Sequence, residues 1–200
     1  MAITVFVWNP SVDAYGHAAM QIAGGPYISW WPSIDLPTIS GILTNSMFGS
    51  YAYVNTMAED QGAEKRPPSW ASAPITCLDE QAISSWWKKF SGNPRNSGGY
   101  QSLGKYNVLT TSCSGVVYTA LLEGGLRRHP MAFAVSANVG AIVSPADVKD
   151  VASALSGELG TRSTAKYLAM TAIDYLSPGQ IPVGGAISDL RDAVKYFGKK

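Results

Sequence analysis

Two residues in this chain have the chemistry of a nucleophile and its base. Cys113 stands in Ser112-Cys113-Ser114 at the head of an apolar segment, and His17 follows Gly16 near the N-terminus. A thiol in the first turn of a helix meets unpaired N–H groups and the positive end of the helix dipole. Both favour the thiolate, the form that attacks a carbonyl carbon. Such an attack also needs an imidazole to take or hold the thiol proton, a third group to orient that imidazole, and backbone N–H groups for the oxyanion. Cys113 offers its own N–H for the last task. The chain has two histidines and two cysteines, so a Cys–His pair has few combinations. His129 lies in Arg127-Arg128-His129-Pro130 and reads as an exposed turn residue. Cys77 reads as an inert core thiol, and a Cys77–Cys113 disulfide would refute the nucleophile. Each chemical reading has a plainer one beside it: Cys113 as a small packing residue, His17 as a residue at a strand edge.

The elements that must position these residues follow from pattern. Ser112 is a suitable N-cap, Val116, Val117, Ala120 and Leu121 share a helical face, and Gly124-Gly125 supplies a stop, so a helix is expected at about 112–123. Residues 3–8 alternate and read as a strand, as do 17–22 and 27–31. The short Gly24-Gly25-Pro26 link predicts an antiparallel hairpin between the last two, with His17 opening its strand beside a loop. Residues 32–73 show no clean periodicity and read as a lid or binding loop, with room for a short helix in 39–48. A short strand is expected at 75–77. A helix is expected over 79–90, with Asp79 as N-cap and Ile83, Trp86, Trp87 and Phe90 on one face. Ser144-Pro145 opens another helix carrying Val148, Val151, Ala152 and Leu155. Two further helices are expected through Ala165–Leu176 and Ile187–Phe197.

Composition sets outer bounds. A chain of 200 residues with 46% hydrophobic content is long enough for one domain with a sizeable core. A net charge of +1 with 14% charged residues gives no electrostatic footprint for nucleic acid. No Cys/His cluster has zinc-ligand spacing, and no cofactor is expected. No segment approaches the roughly 20 apolar residues of a membrane span. The N-terminus lacks a basic region, an apolar run and a cleavage site, so synthesis in the cytoplasm without a signal peptide is expected.

Gly16-His17 before a hairpin, Tyr27-Ile28-Ser29-Trp30-Trp31-Pro32, Leu78-Asp79-Glu80 before a Trp-Trp helix, and Ser112-Cys113-Ser114 before an apolar helix together resemble the circularly permuted papain-like enzymes. These are the NlpC-type and lecithin–retinol acyltransferase-like families, in which histidine precedes cysteine. The resemblance covers about residues 1–125. It implies a single α+β domain with a permuted papain-like fold, a small antiparallel sheet packed against the cysteine-bearing helix, and a helical extension over 126–200. It implies Cys113 as nucleophile and His17 as base, with an orienting group on the strand after the histidine strand. Ser29 is the best-placed polar residue there, with Gln21, Asp13 and Asn9 as substitutes. Many relatives carry a stronger hydrogen-bonding group at that position. Trp30 and Trp31 either line a substrate groove or pack in the core, and lining would suit a sugar-peptide and an acyl chain equally. Relatives of this build include type VI secretion effectors, which implies a peptidoglycan amidase or endopeptidase. Such a protein would be exported by a specialised apparatus to a target-cell periplasm, act as a monomer, and have a cognate immunity protein. A phospholipid acyl hydrolase or acyltransferase, or a non-catalytic binding module, are the alternatives.

Overall fold

The computed structural model describes residues 2–11, 16–33, 45–92, 105–137, 139–140 and 142–158. They form a mixed α+β fold with small antiparallel sheets. Strand β1 (Ile3–Trp8) is central, paired on one side with β2 (His17–Ile22) and on the other with the short β6 (Trp70–Ala71). Strand β3 (Tyr27–Ile28) pairs with β2 through the expected hairpin, giving the order β3-β2-β1-β6. A second sheet has the order β4-β5-β7, from Trp31–Pro32, Ser50–Tyr53 and Lys105–Tyr106.

The expected single strand over 27–31 is thus divided between two sheets, yet its alternation survives. Ile28 and Trp30 are fully buried among the core residues, while Tyr27, Ser29 and Trp31 all reach one carboxylate on the opposite side. The period of two that governs side-chain direction in extended chain explains both sets.

Helix α2 (Glu80–Ser91) begins at the Asp79 cap, and α3 (Cys113–Glu123) begins at Ser112, whose hydroxyl accepts from the Gly115 N–H at 3.1 Å. Both starts match the sequence expectation. Helix α3 lays Val116, Val117, Ala120 and Leu121 on the core and packs against β2. It also lies so close to α2 that a Cβ at Gly124 would stand 2.6 Å from the Ile83 side chain, so glycine is needed there for packing as well as for the stop. A short 3-10 turn (Leu126–Arg128) overlaps the turn expected at 127–130 and leads into α4 (Pro130–Ser136). Helix α5 (Pro145–Ser156) carries the expected capping residue and packs against β1. Leu126, Ala132, Val135, Val148, Val151 and Ala152 share one core with Ile3, Val5 and Val7.

The irregular reading of 32–73 needs correction. It contains β5, helix α1 (Met57–Glu64) and β6, and residues 45–48 are helical. Helix α1 escapes a hydrophobic-periodicity search because the residues it buries are Asp60 and Glu64. Its signal is the capping box: Thr56 accepts from the Glu59 N–H while the Glu59 carboxylate accepts from the Thr56 N–H at 2.7 Å. The strand expected at 75–77 is reduced to a bridge between Ile75 and Ile3. The helices expected in 165–176 and 187–197, and most of 39–48, lie outside the described residues. Among the described residues, no helix is long and apolar enough to cross a membrane.

Candidate active site

His17 is the first residue of β2, opposite Trp8 on β1. The residue before it has to be glycine. Gly16 has φ +83°, and a Cβ there would stand 2.7 Å from the Trp8 carbonyl oxygen and 2.9 Å from Pro10 N. This turn delivers the imidazole into a closed site, 2% exposed, between the rings of Trp8 at 5.3 Å and Trp31 at 4.5 Å.

The Nε2 side of the ring faces Asp60. His17 Nε2 lies 3.2 Å from Asp60 Oδ2 and 3.2 Å from Ser29 Oγ. Asp60 is fully buried, and three other side chains donate to it: Tyr27 OH to Oδ2 at 2.6 Å, Trp31 Nε1 to Oδ1 at 2.6 Å, and Ser29 Oγ to Oδ1 at 2.9 Å. Burial alone would push this carboxyl up. The His17 hydrogen bond and charge, with the Tyr27 and Ser29 hydroxyls, outweigh burial and hold it below the usual carboxylate value. A buried carboxylate is tolerated where its lone pairs are filled in this way. The same carboxylate, with burial, pushes the Tyr27 phenol well up, so Tyr27 stays a donor.

The sulfur lies close by. Cys113 is 8% exposed in the first turn of α3, near enough to the His17 ring for each group to shift the titration of the other. Burial would push the Cys113 thiol up. The His17 charge, the His17 hydrogen bond, the Ala18 backbone and the Ser114 hydroxyl reverse this, and the thiol titrates below its usual value. His17 shows the counterpart. Burial would lower its pKa, but the Cys113 charge and the Asp60 hydrogen bond raise it from 6.5 to about 9. The pair therefore shifts together towards imidazolium and thiolate.

Tyr106, the last residue of β7, completes the surroundings of the sulfur. It is 5% exposed and lies near enough to Cys113 for the thiolate charge to act on its phenol. Burial and the neighbouring thiolate charge push this phenol up, so it remains a protonated donor.

The sequence brought Cys113, His17 and Ser29 forward, and the fold brings the three together. It missed Asp60 and Tyr106. Ser29 does touch His17, but the stronger partner is Asp60, from a helix the periodicity could not reveal. Gln21 is turned away, with its amide donating to the Ile22 and Gly25 carbonyls. Asn9 has its backbone engaged by Ser69 and Arg66. Asp13 lies outside the described residues. Trp30 does not line a groove: it is fully buried against Trp87 and Phe90. Trp31 keeps a partly exposed position beside His17. Cys77 is not a core thiol but a free, exposed one, and Cys113 is free as well. Among the described residues, no group of three or more His, Cys, Asp or Glu side chains has metal-binding geometry. No family model, curated protein or solved structure matches the chain.

Proposed function

We propose that this protein is a cysteine hydrolase of permuted papain-like build, with Cys113 as nucleophile, His17 as base and acid, and Asp60 as the residue that orients His17. The observation that carries the reading is a buried imidazole held 3.2 Å from the Asp60 carboxylate and electrostatically coupled to the Cys113 thiol. In the first step the Cys113 thiolate attacks a carbonyl carbon, forming the C–S bond and placing a negative charge on the carbonyl oxygen. The Cys113 N–H at the head of α3 and the Tyr106 hydroxyl are donors beside the sulfur for that charge. The C–N bond then breaks as the His17 imidazolium gives its proton to the leaving amine, which leaves an acyl-enzyme and a neutral imidazole. Water attacks the thioester, His17 takes its proton, and the thiolate departs as the acid is released. Asp60 fixes the tautomer and steadies the imidazolium throughout, without itself taking the proton.

The substrate favoured by this reading is an amide bond in peptidoglycan, cleaved by an amidase or endopeptidase. The wider setting of an antibacterial type VI effector, with a carrier, an immunity partner and a periplasmic target, rests on the sequence resemblance alone. Purified peptidoglycan digested with the wild-type protein should release muropeptides, and Cys113→Ala should release none. Fatty acid release from phospholipid vesicles with unchanged muropeptides would contradict the amidase reading. It would favour the lipid acyl hydrolase, for which the exposed Met47 and Phe48, at 73% and 68%, are the supporting observation. Asp60, a stronger hydrogen-bonding partner for His17 than a serine, supports the catalytic reading over a non-catalytic binding module.

A further inference from the structure

The active-site ring Trp31 belongs to a different sheet from His17, and that sheet has an open face. Trp31 on β4 is the direct partner of Tyr53 on β5, and Tyr51 on β5 is the direct partner of Lys105 on β7. Direct partners in an antiparallel pair point to the same side, and residues two apart along a strand do so too. Trp31, Tyr53, Tyr51 and Lys105 therefore share one face. Ala52, between the tyrosines, points the other way and is fully buried. Tyr53 is 43% exposed, Tyr51 is 58% exposed, and Lys105 is exposed. Strand spacing and rise carry this ribbon about 12 Å outward from Trp31, enough for more than one sugar ring.

We infer that this ribbon is the seat for the part of the substrate beyond the scissile bond, and that it takes a strand bearing both sugar rings and free carboxylates. The inference rests on the cysteine hydrolase reading, because the Trp31 ring, 4.5 Å from the His17 ring, ties the ribbon to the reacting atoms. Flat aromatic faces with hydroxyl tips suit the C–H faces and hydroxyl edges of a sugar. Lys105 at the far end supplies the charge for a carboxylate. An acyl chain needs enclosure instead. Among the described residues, a partly open apolar cavity of about 510 Å³ is lined by Pro26, Tyr27, Val54 and Trp87 and not by Cys113 or His17. That cavity does not contain the sulfur, whereas the aromatic face begins at the ring beside the imidazole.

Cosedimentation with purified insoluble peptidoglycan tests this without cleavage, using Cys113→Ala as the parent. The parent should bind. Adding Tyr51→Ala and Tyr53→Ala together should weaken binding by about tenfold or more, with the melting temperature retained. Tyr51→Phe with Tyr53→Phe should keep most of it. Lys105→Glu, an exposed change that spares the fold, should weaken binding severalfold at low salt, with the difference fading at high salt. Unchanged affinity in both the double alanine variant and Lys105→Glu would overturn the inference, as would a parent that does not bind peptidoglycan. Thiol alkylation of the wild-type protein judges the Cys113–His17 pair separately. A reactive thiol on a protein that ignores peptidoglycan would therefore sink the ribbon and leave the hydrolase reading standing.

Discussion

At the scale of single residues, the site is a contest between burial and pairing, and pairing wins at each position. Asp60 is the sharpest case, because a carboxylate at zero exposure keeps its charge only through the groups that donate to it. Asp60→Ala should lower turnover on the order of 10²–10⁴-fold, since the imidazole loses both its orientation and its counter-charge. Ser29→Ala removes one donor among several and should cost about tenfold or less. Steady-state cleavage assays on the two variants separate a carboxylate orienter from a serine one. Equal losses would return Ser29 to the leading role. The pH profile of cleavage follows from the same pair. His17 must hold a proton for the leaving group, so the rate should fall as pH rises through about 9. Its acid limb should lie below the ordinary thiol range, where Cys113 regains its proton.

At the scale of elements, the site depends on two local devices. Gly16 sets the entry of β2, and Gly16→Ala would force both a positive φ and a contact of 2.7 Å with the Trp8 carbonyl oxygen. A loss of about 1–3 kcal/mol is expected by chemical denaturation, with activity falling further than stability because His17 is the next residue. Thr56 caps α1, and Thr56→Ala should cost about 1 kcal/mol and loosen the helix that carries Asp60. These devices also explain what the sequence could reveal. β1, β2, the hairpin, α2, α3 and α5 announce themselves through alternation, helical spacing and caps. Helix α1 does not, because it turns two acids inward, which looks from sequence like a solvated charged run. Trp30 and Trp31 look equivalent as neighbours, and only the alternation of 27–31 separates the core ring from the site ring. Tyr106 gave no signal, because its role depends on β7 crossing beside the head of α3.

At the scale of the whole molecule, folding brings together an N-terminal strand, a helix from the middle of the chain and the cysteine helix, so the titration of the site is linked to stability. In the unfolded chain His17 titrates near 6.5 and Cys113 near 9.0; in the folded chain the first is raised to about 9 and the second lowered. The raised imidazole contributes stability below 6.5 and loses it as pH rises through about 9. The lowered thiol contributes above 9.0 and loses that contribution as pH falls through its folded value. Just below 9 the two contributions have opposite slopes: the unfolded state holds the extra proton on Cys113 and the folded state holds it on His17, so they offset one another. Asp60, lowered on folding, contributes stability that is lost as pH falls through its folded value. Urea midpoints measured from pH 4 to 9 check this shape. A steep slope just below pH 9 that disappears in a Cys113→Ser, His17→Ala double variant would contradict the linked pair.

The most direct measurement is the rate of iodoacetamide alkylation at each cysteine, followed by mass spectrometry as a function of pH. Cys77, exposed and with its thiol pushed up by partial burial, serves as the internal comparison in the same molecule. Cys113 should reach its limiting rate at lower pH than Cys77, and His17→Ala should move the Cys113 profile up towards that of Cys77. Matching profiles for the two thiols in the wild-type protein, unchanged by His17→Ala, would contradict the thiolate–imidazolium pair on which the account stands.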